Sequence, residues 1–117
     1  MTKILVIDDN VSIADTLKVY FTMKGNHCDI AYDAKTGINL ALENNYDILL
    51  LDLAMPEYDG MWVLHHLEKT DKLKDFKIFI FSASSTESNI NEIKNLGVTR
   101  FIKKPIPLER LYTIISS

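Results

Sequence analysis

Residues 49–60 read LLLDLAMPEYDG: three leucines are followed at once by an acid, Asp52. The leucines demand burial, whereas an ionised aspartate is costly to remove from water without a partner. The same pattern occurs near the start of the chain, where ILVIDD (4–9) is an apolar run ending in Asp8 and Asp9. Short runs rich in Ile, Leu, Val and Phe recur between longer segments of helical period, the pattern of a parallel sheet covered on both faces.

Working outward, strands are expected at 3–8, 27–31, 47–52, 77–82 and 100–103. Between the first two, Val11, Ala14, Leu17, Val19, Tyr20 and Phe21 mostly fall at three- and four-residue spacings, with Asn10 as N-cap and Gly25 closing the helix. Segment 34–44 opens after Asp33 and sets Ala34, Ile38, Ala41 and Leu42 on one face. Segment 60–69 carries Met61, Trp62, Leu64 and Leu67, and 88–96 carries Ile90, Ile93 and Leu96 before Gly97. A last helix starts at Pro107, which suits a first helical turn, and continues through Leu108, Leu111, Ile114 and Ile115. A (βα)5 alternation with right-handed crossovers gives a three-layer α/β fold around an open, doubly wound parallel sheet. In a flavodoxin-like order, 2-1-3-4-5, strands 1 and 3 are neighbours, so their acids meet at one edge. Sites in such sheets lie at the carboxyl ends of the strands, where the strand order reverses.

Composition narrows the possible functions. With 117 residues, 47% of them hydrophobic and 25% charged, the chain is expected to form one domain, 1–117, with no output domain after the last helix. No apolar run approaches the ~20 residues that span a bilayer, and the acidic start does not resemble a secretory signal, so a cytoplasmic address is expected. Cys28 is the only cysteine, which excludes an internal disulfide and fits a reducing compartment. A net charge of −3, with no basic cluster beyond Lys103 and Lys104, argues against direct nucleic-acid binding.

The expected strand ends carry Asp8 and Asp9, then Asp52, then Ser82 with Ala83, then Lys103 and Lys104 with Pro105. Three neighbouring carboxylates repel one another unless a cation joins them, and an all-oxygen, partly open site suits Mg2+. A hydroxyl and an ammonium beside such an ion are what a transferring phosphoryl group requires, with Asp52 as nucleophile.

The whole chain resembles a response-regulator receiver domain of two-component signalling. The resemblance rests on Asp8–Asp9, on Asp52 with "MP" at 55–56 and "DG" at 59–60, on "SA" at 82–83 and on "KP" at 104–105. It implies that Asp52 accepts a phosphoryl group from a histidine kinase, a phosphotransfer protein or a small phosphodonor. Asp9, Asp52 and the backbone carbonyl of Ala54 would hold Mg2+ directly, and Asp8 would act largely through water. Ser82 and Lys104 would each contact a phosphoryl oxygen, with Lys104 aimed by a cis bond to Pro105. Phe101 would be the aromatic switch residue, filling space that Ser82 vacates and reshaping the face of helix 4, strand 5 and helix 5 toward a downstream target. Gly60 would open helix 3 where the loop needs a permissive backbone.

Plainer roles compete at each position. An aspartate at a strand end is commonly a turn or cap residue, and a serine commonly a cap hydroxyl; only together do these residues point to one site. Lys103 alternates with Lys104 and so faces solvent. His65 and His66 invite a phosphorelay reading but are ordinary residues of an exposed helix, and Trp62 and Met61 are packing residues. Val98, Thr99 and Arg100 replace the acidic residues that often precede the switch aromatic in dimerising receivers. The positions that tune phosphoryl lifetime, Ala54 and Ser84, are both small. Two other classes remain: a Mg2+-dependent phosphohydrolase using an aspartyl-phosphate, which typically has a second aspartate where Ala54 stands, and a flavodoxin-like cofactor binder, in which Asp8 and Asp9 would repel a phosphate.

Overall fold

A computed structural model describes residues 2–83 and 87–117. In chain order the elements are β1 (Lys3–Ile7), α1 (Val11–Met23), β2 (His27–Ala31), α2 (Ala34–Glu43), β3 (Ile48–Leu51), α3 (Gly60–Lys69), a 3-10 turn (Leu73–Asp75), β4 (Lys77–Ser82), α4 (Glu87–Asn95), β5 (Arg100–Lys103) and α5 (Leu108–Ser116). The five strands form one parallel sheet in the order β2-β1-β3-β4-β5, the doubly wound α/β topology expected from the pattern.

Because successive strand residues face opposite sides, each central strand feeds two cores. Leu5, Ile7, Leu49, Leu51, Ile78 and Ile80 join Ile38, Leu64 and Ile93 of α2, α3 and α4 on one side. Ile4, Val6, Ile48, Leu50, Phe79 and Phe81 join Leu17 and Phe21 of α1 and Leu111 and Ile115 of α5 on the other. The continuous leucines of β3 are therefore split between two layers. Truncating one of them to alanine would cost roughly 2–5 kcal/mol.

Several boundaries differ from expectation. β1 and β3 stop one residue short, at Ile7 and Leu51, although the ladder bonds still reach the next amides: Asp8 N donates to Ala31 O and Asp52 N to Ile7 O, each at 3.0 Å. Asp47 lies ahead of β3, where its carboxylate accepts from Lys3 N at 2.8 Å. Pro107 is the N-cap of α5, in extended conformation, rather than a first-turn residue. Leu42, Val11 and Val19 are exposed; at 100° per residue they fall past the edge of the stripe defined by Ala41, or by Ala14, Leu17 and Phe21. The Asn10 cap forms as expected, accepting from Ile13 N, and Asp33 caps α2 by accepting from Thr36 N.

Candidate phosphoryl and metal site

The alternation that builds the cores also places the site. Ile4, Val6, Ile48, Leu50 and Ile102 face α1 and α5, and the next residues of that parity are Asp8, Asp52 and Lys104, just beyond the carboxyl ends of β1, β3 and β5. Since Val6 pairs with Leu50 and Ile7 with Leu51, Asp8 and Asp52 follow side by side. Both are buried, at 1% and 7% exposure, and Asp9 is exposed at the mouth. One carboxylate oxygen from each of the three lies within 4.8 Å of the others.

Lys104 bridges the two buried acids. Its Nζ is 2.6 Å from Asp8 Oδ2 and 3.3 Å from Asp52 Oδ2, and the side chain is only 11% exposed. The peptide bond from Lys104 to Pro105 is cis, as the resemblance implied, and Lys104 N donates to Ser82 O at 3.1 Å. The remaining oxygens are also engaged: Asn10 N donates to Asp8 Oδ1 at 2.9 Å and Ala54 N to Asp52 Oδ1 at 3.2 Å. Burial raises the Asp8 carboxyl above its ordinary range; the Lys104 ammonium and the Asn10 amide pull it back without cancelling the rise, and the Asp52 charge adds to it.

The donor set fits a small dication. All three side chains offer hard oxygen, and when all are ionised one ammonium leaves a local excess of about two negative charges.

Ser82 is 7% exposed at the end of β4, and its parity, shared with Ile78 and Ile80, sets it on the α2–α4 side. Phe101 is half-buried and packs against that same core, so the two expected switch residues share a face. Lys103 is exposed, as expected. Ser84 lies outside the described residues. The contacts of His65 and His66 are with residues other than Asp8, Asp9 and Asp52: His65 Nε2 meets Glu92 Oε1 of α4 at 2.5 Å, and His66 packs on Trp62 with ring centroids 5.0 Å apart.

Gly60 does open α3, but its φ is not in the left-handed region, so conformational permissiveness is not its reason. Close approach is: its N donates to Leu53 O at 3.0 Å, and a side chain would strike the Asp52 backbone. Phe81, read in the sequence only as a strand residue, lies under Lys104 with its ring centroid 4.9 Å from Nζ. Alternation marks it as a core residue, and the register Phe81↔Ile102 is what brings its ring to Lys104.

A sequence model of the family described as "Response regulator receiver domain" matches residues 4–116. Among curated proteins, the response regulator ArlR of Staphylococcus haemolyticus is 30% identical over 115 residues, covering 98% of this chain and 51% of that protein. The chain spans about half the length of the curated relatives it matches. Among solved structures, the receiver domain of Francisella response regulator 1452 superposes with a TM-score of 0.86 at 30% identity, covering 99% of this chain and 94% of that one. The response regulator TrrA of Thermotoga maritima, solved in complex with Mg2+–BeF, superposes with a TM-score of 0.82 at 25% identity, covering 99% and 97%.

Proposed function

The chain belongs to the response regulator receiver family, and we propose that Asp52 is the residue on which its phosphorylation-dependent switch turns. The observation that carries this reading is the position of Lys104, whose ammonium contacts Asp8 and Asp52 at the open end of a three-carboxylate cluster. Asp52 Oδ attacks phosphorus; a phosphorus–oxygen bond forms as the bond to the donor's leaving group breaks. Lys104 exchanges a carboxylate contact for a phosphoryl oxygen, and Ser82 takes another. Asp9, Asp52 and the Ala54 carbonyl would hold Mg2+, with Asp8 acting largely through water. Bound there, the ion would neutralise charge on the phosphoryl group. TrrA carrying Mg2+–BeF supports this ligand class for the fold.

The phosphodonor in this reading is a histidine kinase, a phosphotransfer protein or a small acyl phosphate. Movement of Ser82 and Phe101 reshapes the α4–β5–α5 face toward a downstream protein. The only chemistry assigned to the chain is gain and loss of the phosphoryl group on Asp52. A phosphohydrolase is disfavoured because Ala54 stands where such enzymes place their acid/base aspartate. No helix among the described residues is long and apolar enough to cross a membrane, which is compatible with a cytoplasmic address.

Intact-mass measurement with acetyl phosphate and Mg2+ tests the reading. One phosphoryl group is expected on the wild type and none on Asp52→Asn. No uptake by the wild type, or unchanged uptake by the variant, would overturn it.

A further inference from the structure

We propose that Phe81 is a positioning residue for the phosphoryl site, the face of its ring holding the Lys104 ammonium at the mouth beside Asp52. The proposal rests on the reading of Lys104 as the cation that pairs with the phosphoryl group.

Phe81 pairs in register with Ile102, two residues before Lys104, and both belong to the core under α1 and α5. The same alternation therefore sets Phe81 beneath the lysine. Nζ is 4.9 Å from the ring centroid, inside the roughly 6 Å over which a ring quadrupole attracts a cation. Phe81 is 5% exposed and the Lys104 side chain 11%, so little water screens the contact.

Something must restrain this side chain, because lysine carries its charge on a flexible four-carbon stem. A cavity of about 250 Å³, lined by Ser12, Leu17, Phe81, Lys104, Pro105 and Leu111, opens on its α1–α5 side and offers room to withdraw. The contact with Asp52 is available only while that carboxylate is unmodified. Phosphoryl transfer changes Asp52 from carboxylate to acyl phosphate, whereas the attraction of the ring is unchanged. Phe81 thus helps keep the ammonium in place across the step in which one of its two anionic partners, Asp52, changes while Asp8 does not. Leucine would fill the same core without this face.

The test replaces Phe81 by 4-fluoro-, 3,5-difluoro- and 3,4,5-trifluorophenylalanine, which drain charge from the ring at nearly constant shape, alongside Phe81→Tyr and Phe81→Leu. Three quantities are read: the rate of phosphoryl uptake from acetyl phosphate with Mg2+, the urea midpoint, and the proton shift of the Lys104 ε-methylene. The rate should fall stepwise with fluorination, to about a tenth at trifluoro, with the midpoint unmoved. Phe81→Tyr should remain near wild type. Phe81→Leu should be about tenfold slower and lose the upfield ring-current shift that the wild-type ε-methylene shows. A flat fluorination series, or rates that follow the urea midpoint, would overturn the proposal while leaving the role of Asp52 standing. Failure of the wild type to take up phosphoryl counts against Asp52 instead. The ε-methylene shift, which needs no phosphodonor, then decides on Phe81, and its absence in the wild type would overturn the proposal.

Discussion

A β-carbon built on Gly60 would lie 2.5 Å from the backbone carbonyl oxygen of Asp52 and 2.8 Å from Leu53 Cα. The start of α3 is thus pressed onto the strand end that carries the expected phosphoacceptor, and two segments of backbone define the contact. Neither can yield as a side-chain tip can. Gly60→Ala should destabilise the fold by about 1–3 kcal/mol, read as a lower urea midpoint, and should slow phosphoryl uptake as Asp52 shifts. An unchanged midpoint would mean that the α3 start can move away freely.

Asp8 gives stability a pH dependence of known sign. Its folded-state pKa is raised above the unfolded value, chiefly by burial, so its favourable contribution is complete below about pH 3.8 and is lost as pH rises through the folded pKa. Above its folded pKa the ionised side chain is a net burden despite Lys104. Asp8→Asn should therefore raise the thermal midpoint at pH 7, with the gain shrinking as pH falls toward 3.8. A lower midpoint at pH 7 would show that the ion pair outweighs the burial.

Asp29 behaves oppositely. Burial would raise it, but hydrogen bonds from Tyr46 Oη, at 2.6 Å, and His27 Nε2, at 3.1 Å, hold it below the usual carboxylate range. The stability it contributes is present above the unfolded pKa and is lost as pH falls through the folded one. Tyr46→Phe should cost about 1 kcal/mol at pH 7 and less in acid, measured by urea unfolding at both. An equal cost at both pH values would attribute the loss to packing alone.

His65 and His66 should be dispensable for phosphoryl chemistry. The side chains of His65 and Glu92 are each 48% exposed, so their coupling in a double-mutant cycle should stay below about 1 kcal/mol. His65→Gln and His66→Gln should take up phosphoryl at the wild-type rate. A marked fall in either would restore a phosphotransfer role to this helix.

Much of the architecture was legible because one physical constraint governs it: a strand buried on both faces must be apolar throughout, and Leu49–Leu51 can be nothing else. The acids were legible for the converse reason, since Asp8 and Asp52 break apolar runs where an unpaired charge would be costly. Less legible were effects of distance rather than residue type. Gly60 reads as a flexible residue in the sequence, yet it is required by the nearness of Asp52 O, which no local pattern reveals. Phe81 reads as core, and only the register between β4 and β5 shows that its ring also meets a cation. Val11 and Val19 are exposed because the apolar stripe of α1 is narrower than its apolar composition.

The most direct test locates the phosphoryl group. The wild type, treated with acetyl phosphate and Mg2+, is reduced with borohydride, which converts an aspartyl phosphate to homoserine, and the digested protein is then sequenced by mass spectrometry. The expected result is homoserine at position 52, with Asp8 and Asp9 unchanged. An adduct on Asp8, Asp9, His65 or His66, or no conversion at Asp52 despite phosphoryl uptake, would contradict Asp52 as the residue on which the switch turns.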